Sequence, residues 1–196
     1  FDRESLYLHR PQPELSVAEN FLYSVRHDNQ FTPEEARLLD LCLVLHMEHG
    51  GGNNSAFACR VLSSSGTDIY SAISAAVGSL KGPRHGGANT RVMHMFDEIE
   101  ARVKDWKDED EVSAYLTRIL KKEAGDGSGL IYGMGHAVYT LSDPRAVILK
   151  QFAKDMARNK GMLEEFELFE LVERLAPGLF RSVTGQEKVM SANVDM

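Results

Sequence analysis

Cysteine is scarce in this chain. Cys42 and Cys59 are the two among 196 residues, too few for a scaffold built on disulfides. The expected home is a reducing one, and the protein is read as cytoplasmic. Long apolar runs are also missing. The strongest, Leu38 to Leu45, is broken by Asp40, whereas a membrane span needs about 20 apolar residues in a row. No basic-then-apolar leader opens the chain. It begins at Phe1 rather than Met, which predicts a processed start or a piece of something longer. Positive charge is in deficit, with 22 Lys and Arg against 29 Asp and Glu and a net charge of −7. That argues against a nucleic-acid partner, which needs a basic face. It leaves room for an anionic small substrate, because a few cations converging in a cleft outweigh the net charge locally. Strand signals are weak, and the chain has no internal repeat or low-complexity tract.

What is present is helical, and the fold class read from it is all-α. At 43% hydrophobic residues the chain can bury a core. Thr32-Pro33-Glu34-Glu35 is a capping box with proline at the first helical position. The helix it opens carries Leu38, Leu39, Leu41, Cys42, Val44 and Leu45, apolar nearly all round, so it is expected to be buried. A second helix is expected from Ser55 to Leu62. A third, from Asp68 to Gly82-Pro83, holds Ala72, Ser74, Ala75, Ala76, Gly78 and Ser79. Such small residues permit close backbone approach, so a central, tightly packed helix is expected. Ala88 to Lys104 and Glu109 to Ala124 read as amphipathic helices, Asp143-Pro144 caps another to about Arg158, and Met162 to Leu175 is the last. Ala137 to Thr140 is the candidate short ribbon. Trp106 and Lys150 to Lys160 read as scaffold. The composition shift near Gly86-Gly87 divides the chain into residues 1–86 and 87–196.

Three places combine histidine with glycine at helix ends: His46 to Asn53, Gly82 to Asn89, and Gly133 to Tyr139. Glycine lets a ligand approach the backbone closely, and binding residues concentrate in such loops. A lone histidine beside a helix end is commonly just a cap. Cys42, His46 and His49 also offer soft sulfur and imidazole at spacings that suit zinc, although a second spaced pair of ligands is missing. A non-enzymatic, metal-stabilised helical module therefore stands as an alternative, and the preferred reading has no metal.

The run from Leu45 to Ala56 resembles the first signature of the citrate synthases. Gly82-Pro83-Arg84-His85-Gly86-Gly87-Ala88-Asn89 resembles the second. Gly133-Met134-Gly135-His136-Ala137-Val138-Tyr139 with Asp143-Pro144-Arg145 resembles the third, and Asn193-Val194-Asp195 the fourth. Ala137 follows His136 where many bacterial members carry arginine. The family continues well past the position of Met196 and supplies two further substrate-binding arginines, one from the partner subunit. The chain thus resembles part of the large, dimerisation domain (1–86) plus a truncated small domain (87–196).

The resemblance implies condensation of acetyl-CoA with oxaloacetate to citrate and CoA, in the tricarboxylic acid cycle, by a homodimeric parent. No cofactor is permanently bound; acetyl-CoA is a co-substrate. Asp195 is the implied base that takes the methyl proton, worth about 10²–10⁴-fold when positioned. His85 is the implied donor to the thioester oxygen and His136 the implied donor to the oxaloacetate carbonyl. A helix N-terminus beginning near Ala88 is expected to keep His85 neutral. His49, Arg145 and Asn53 are the implied oxaloacetate-binding residues. Arg145 can grip a carboxylate bidentately from the first turn of its helix. Leu130, Ile131, Tyr132, Gly133, Met134 and Gly135 resemble the stretch that packs on CoA, and Lys188 is the candidate for its phosphates. A 2-methylcitrate synthase using propionyl-CoA is the enzymatic alternative. The 196 residues alone are expected to be inactive.

Overall fold

The structure is a computed structural model that describes residues 9–47, 50–82, 85–136, 139, 141–187 and 190–196. His49 and Lys188 lie outside these residues, as does all of the expected 137–140 ribbon except Tyr139. The described residues form α1 (Val17–Val25), α2 (Pro33–Leu45), α3 (Asn54–Ser64), α4 (Ile69–Leu80), α5 (Ala88–Arg102), α6 (Glu109–Leu120), α7 (Pro144–Lys160) and α8 (Leu163–Thr184). The all-α expectation holds: among them the sole extended pairing is one antiparallel bridge, Met134 to Ala192.

Local chemistry sets most helix starts. Thr32 Oγ1 accepts from Glu35 N at 3.2 Å, and Glu35 Oε2 accepts from Thr32 N at 2.9 Å, closing the expected capping box. Asp68, Asp108 and Asp143 cap α4, α6 and α7. Helix α1 was not expected, yet it opens with the same device. Ser16 N donates to Glu19 Oε2 at 2.7 Å, and Glu19 N donates back to Ser16 Oγ at 3.3 Å.

The core lies from Val92 onward. Val92, Met95, Phe96 and Ile99 form one stripe of α5. They meet Val112, Leu116 and Ile119 of α6 and Leu168, Val172 and Ala176 of α8. Phe96 stacks on Phe169 with ring centroids 3.6 Å apart. Each fully buried side chain of this size contributes about 1.5–3 kcal/mol. Trp106 packs against the edge of this core, consistent with a scaffold role.

Three expectations need correction. Helix α8 does not stop at Leu175; it runs through Pro177 to Thr184. Leu179, Phe180 and Val183 in its final turns pack on the core, and that burial offsets the local cost of the proline. Helix α2 is not buried, since Ala36 is its one buried residue and Val44 is 54% exposed. Helix α4 is not central either. It packs on α3 and on no other described helix, and its outer face leaves Tyr70, Ile73 and Val77 exposed. In both helices the apolar residues outnumber the partners that the described residues provide.

The elements are also tied by charge. Glu35 of α2 accepts from Arg26 at 2.7 Å and pairs with Lys160 at the end of α7. Arg26 first, then Lys160 and the Thr32 N–H, hold the Glu35 carboxyl well below the usual carboxylate range.

Candidate active site

The loop after α4 carries His85. It folds back through bonds from His85 N and Gly86 N to Gly82 O, both 3.0 Å. Gly86 is obligatory for this turn, because a Cβ there would lie 2.0 Å from Leu80 O. The turn delivers the imidazole to the first turn of α3, where Ser55 N–H donates to His85 Nε2 at 3.1 Å. A nitrogen that accepts carries no proton, so the ring proton sits on Nδ1. The helix end that contacts His85 is that of α3, not that of α5, the one expected to act on it. The orphan donor belongs to the second helical residue of α3, not to α5.

Asn53, a candidate substrate ligand, is occupied by the same helix end. Its Oδ1 accepts from Ala56 N and Ser55 Oγ, both at 2.9 Å, and its Nδ2 donates to Gly50 O. It caps α3 and so steadies the Ser55 N–H that His85 uses.

The segments that carry His136 and Asp195 are joined by backbone pairing. Gly135 N donates to Ser191 O at 2.7 Å, Asn193 N to Gly133 O at 2.9 Å, and Asn193 Nδ2 to Gly135 O at 2.9 Å. These bonds zip the last described residues onto the Gly133–Gly135 turn. Asn193 Oδ1 then accepts from Asp195 N at 3.0 Å. Gly133 must be glycine here: its φ is +81°, and a Cβ would lie 2.9 Å from Met196 Sδ. Asn89, in the first turn of α5, reaches Asp195 O at 3.5 Å and links the His85 segment to this cluster.

His136 Nδ1 accepts from Tyr139 N at 3.2 Å, which places its proton on Nε2. The two rings lie 4.7 Å apart, and Arg145 Cζ lies 5.9 Å from the Tyr139 ring centroid. His136 and Arg145 thus both lie against the Tyr139 ring, and Arg145 already holds a protein carboxylate. Its Nε and Nη2 donate to Asp143 Oδ1 and Oδ2 at 3.0 and 2.8 Å. Burial pushes the Asp143 carboxyl up, yet the Arg145 side chain, the Arg145 and Val194 N–H groups and the Arg145 charge together hold it below its ordinary value.

A family model described as "Citrate synthase, C-terminal domain" matches residues 2–196. The chain belongs to the citrate synthase family. It is 41% identical to the citrate synthase of Deinococcus radiodurans over 84% of its own length and 40% of that protein. It is 37% identical to the citrate/2-methylcitrate synthase of Bacillus subtilis, covering 84% of this chain and 41% of that one. Among solved structures it resembles citrate synthase of Thermoplasma acidophilum, captured in a ternary complex with carboxymethyl coenzyme A and oxaloacetate, with TM-score 0.71 and 30% identity, covering 94% of this chain and 44% of that one. The chain therefore spans about two fifths of the length of the curated relatives it matches.

The remaining candidates are dispersed by the citrate synthase fold. Ile131 is a core residue at 4% exposure, whereas Leu130 is exposed. Tyr132 donates its hydroxyl to Asp126 at 2.6 Å and lies under the Arg91 guanidinium. A cleft of about 520 Å³ between α2, α7 and α8 reaches Asn89, Asp143 and Asp195. His85, His136 and Arg145 do not line it, so it lies beside the cluster. Among the described residues no three His, Cys, Asp or Glu side chains converge as a metal site. His46 Nδ1 instead bonds Cys42 O at 2.7 Å, and burial pushes the Cys42 thiol up, against the thiolate that zinc requires. Ser55, Asn89 and Asp143 were missed as site residues. Asp143 had a signal, since it stands two residues before Arg145.

Proposed function

We propose that the full-length protein carrying this chain condenses acetyl-CoA with oxaloacetate to give citrate and CoA. One observation carries the reading: the segment bearing Asp195 is zipped onto the turn that precedes His136, with Arg145 alongside. In this reading Asp195 takes a proton from the thioester methyl group. His85 Nδ1–H holds the enolate oxygen as charge develops there, an interaction worth about 2.7–4 kcal/mol when preorganised. His136 Nε2–H polarises the oxaloacetate carbonyl and donates its proton to the alkoxide as the carbon–carbon bond forms. Water then cleaves the citryl thioester. Arg145 and His49 hold oxaloacetate, and the 130–135 segment with Lys188 meets CoA. No permanently bound cofactor is needed. The ternary complex of the Thermoplasma relative with a CoA analogue and oxaloacetate supports this pair of substrates.

The site assignment goes with two further proposals. The division at Gly86-Gly87 is supported by the core, whose buried members all lie from Val92 onward. A homodimer is supported by the uncovered apolar face of α4, with Ile73 and Val77 at 50% and 59% exposure. A cytoplasmic location follows from the cysteine usage.

The test is turnover of the full-length protein with oxaloacetate, comparing acetyl-CoA with propionyl-CoA. Release of CoA dependent on oxaloacetate and acetyl-CoA is expected. Its absence overturns the proposal. Preference for propionyl-CoA favours 2-methylcitrate synthesis, the second reading, which the similarity to the Bacillus citrate/2-methylcitrate synthase supports.

A further inference from the structure

Asp143 is the one fully buried charged side chain among the described residues, at 0% exposure. Its place at the start of α7 does not account for this. Thr32, Asp68 and Asp108 cap their helices from exposed positions. A cap needs one acceptor site, and Asp143 uses four. Oδ1 accepts from Arg145 N and Arg145 Nε, both at 3.0 Å. Oδ2 accepts from Arg145 Nη2 at 2.8 Å and from Val194 N at 3.1 Å. Val194 immediately precedes Asp195. A carboxylate taken out of water persists only when its lone pairs are all met, and here they are met by two functional segments 51 residues apart in sequence.

We propose that Asp143 is a positioning residue that sets the Arg145 guanidinium and the Asp195 backbone in one fixed relation. The Nε and Nη2 bonds orient the planar fork, so its Nη1 edge is the part offered to a substrate carboxylate. The Val194 bond holds the chain one residue ahead of the base. This rests on the function proposed above.

The test uses the full-length protein with Asp143→Ser and Asp143→Asn. Serine retains a helix cap but cannot hold the guanidinium in two places or reach Val194. Asparagine keeps the shape and loses the charge and one acceptor. In both, KM for oxaloacetate is expected to rise at least about tenfold with a fall in kcat, while KM for acetyl-CoA moves less than about twofold. An oxaloacetate KM within about twofold of wild type in both variants overturns the proposal. So does a loss of kcat that merely follows the folded fraction with both KM values unchanged. Independent of turnover, the Arg145 Nε–H is expected to be protected from solvent exchange in wild type and unprotected in Asp143→Asn. Fast exchange in wild type overturns the positioning role. A wild-type protein that fails to condense the substrates, yet shows this protection and its loss, refutes the function and leaves the Asp143 tie supported.

Discussion

Replacing His85 with asparagine and with glutamine separates its two nitrogens. An asparagine amide falls near the ring Nδ1, and a glutamine amide near Nε2. Ser55 N–H donates to Nε2 at 3.1 Å. A neutral bond of this kind is worth about 1 kcal/mol net, which favours the Nδ1–H tautomer about fivefold. In the proposed mechanism Nδ1–H is then the donor to the thioester oxygen. His85→Gln retains an acceptor for Ser55 but has no donor at Nδ1, so kcat is expected to fall about 10²–10³-fold. His85→Asn retains a donor there and is expected to keep about tenfold more activity than the glutamine variant. It leaves the Ser55 N–H without its partner, at a cost of about 1–3 kcal/mol of stability. The two orders therefore cross: glutamine is the more stable variant and asparagine the more active. CoA release measured with a thiol reagent gives kcat, and urea unfolding gives stability. A glutamine variant more active than the asparagine one refutes the assignment. So does a ¹⁵N spectrum of wild type showing the His85 proton on Nε2.

Three other outcomes follow from the geometry. Gly86→Ala places a Cβ 2.0 Å from Leu80 O, so about 1–3 kcal/mol of stability should be lost together with the His85–Ser55 bond; unchanged urea midpoint and kcat would contradict this. Glu35 is held below its ordinary value of 4.5, so its stabilisation is complete above that value and is lost as pH falls through the lowered folded value. Glu35→Gln should therefore cost about 1–2 kcal/mol at neutral pH, and its gap from wild type should close in acid. Unfolding curves at several pH values read this, and a gap independent of pH is the contrary result. Ile73→Glu on the uncovered face of α4 should convert a dimer to a monomer in sedimentation without loss of helicity; a variant that stays dimeric moves the interface elsewhere.

Helix starts were legible because a cap is a contract between residues within one turn. Thr32 with Glu35, Asp68 and Asp143 each bond a backbone N–H two or three residues on, so the local string carries the whole interaction. Ser16 and Glu19 carried the same signal for α1. Helix α8 outran its expected end because Pro177 is a local stop signal, whereas the burial that overrides it comes from α5 and α6. The exposure of α2 and α4 was not legible either. Periodicity reports how much apolar surface a helix carries and nothing of whether a partner covers it.

The candidate site divides along the same line. Its residue types and order were readable: His85, His136, Arg145 and Asp195 stand in glycine-rich or capped segments in the order of the family signatures. Their partners were not. His85 is oriented by Ser55, 30 residues away. Asp143 spans to Val194, 51 residues away, and Arg145 proved to be held by the protein's own carboxylate before any substrate arrives. By itself the sequence determined the all-α class, the helix caps and the candidate groups, because each depends on neighbours along the chain. Only the tertiary structure decided that Ser55 orients His85 and that Asp143 is tied to Val194, because those bonds join residues 30 and 51 positions apart that meet only once the chain has folded.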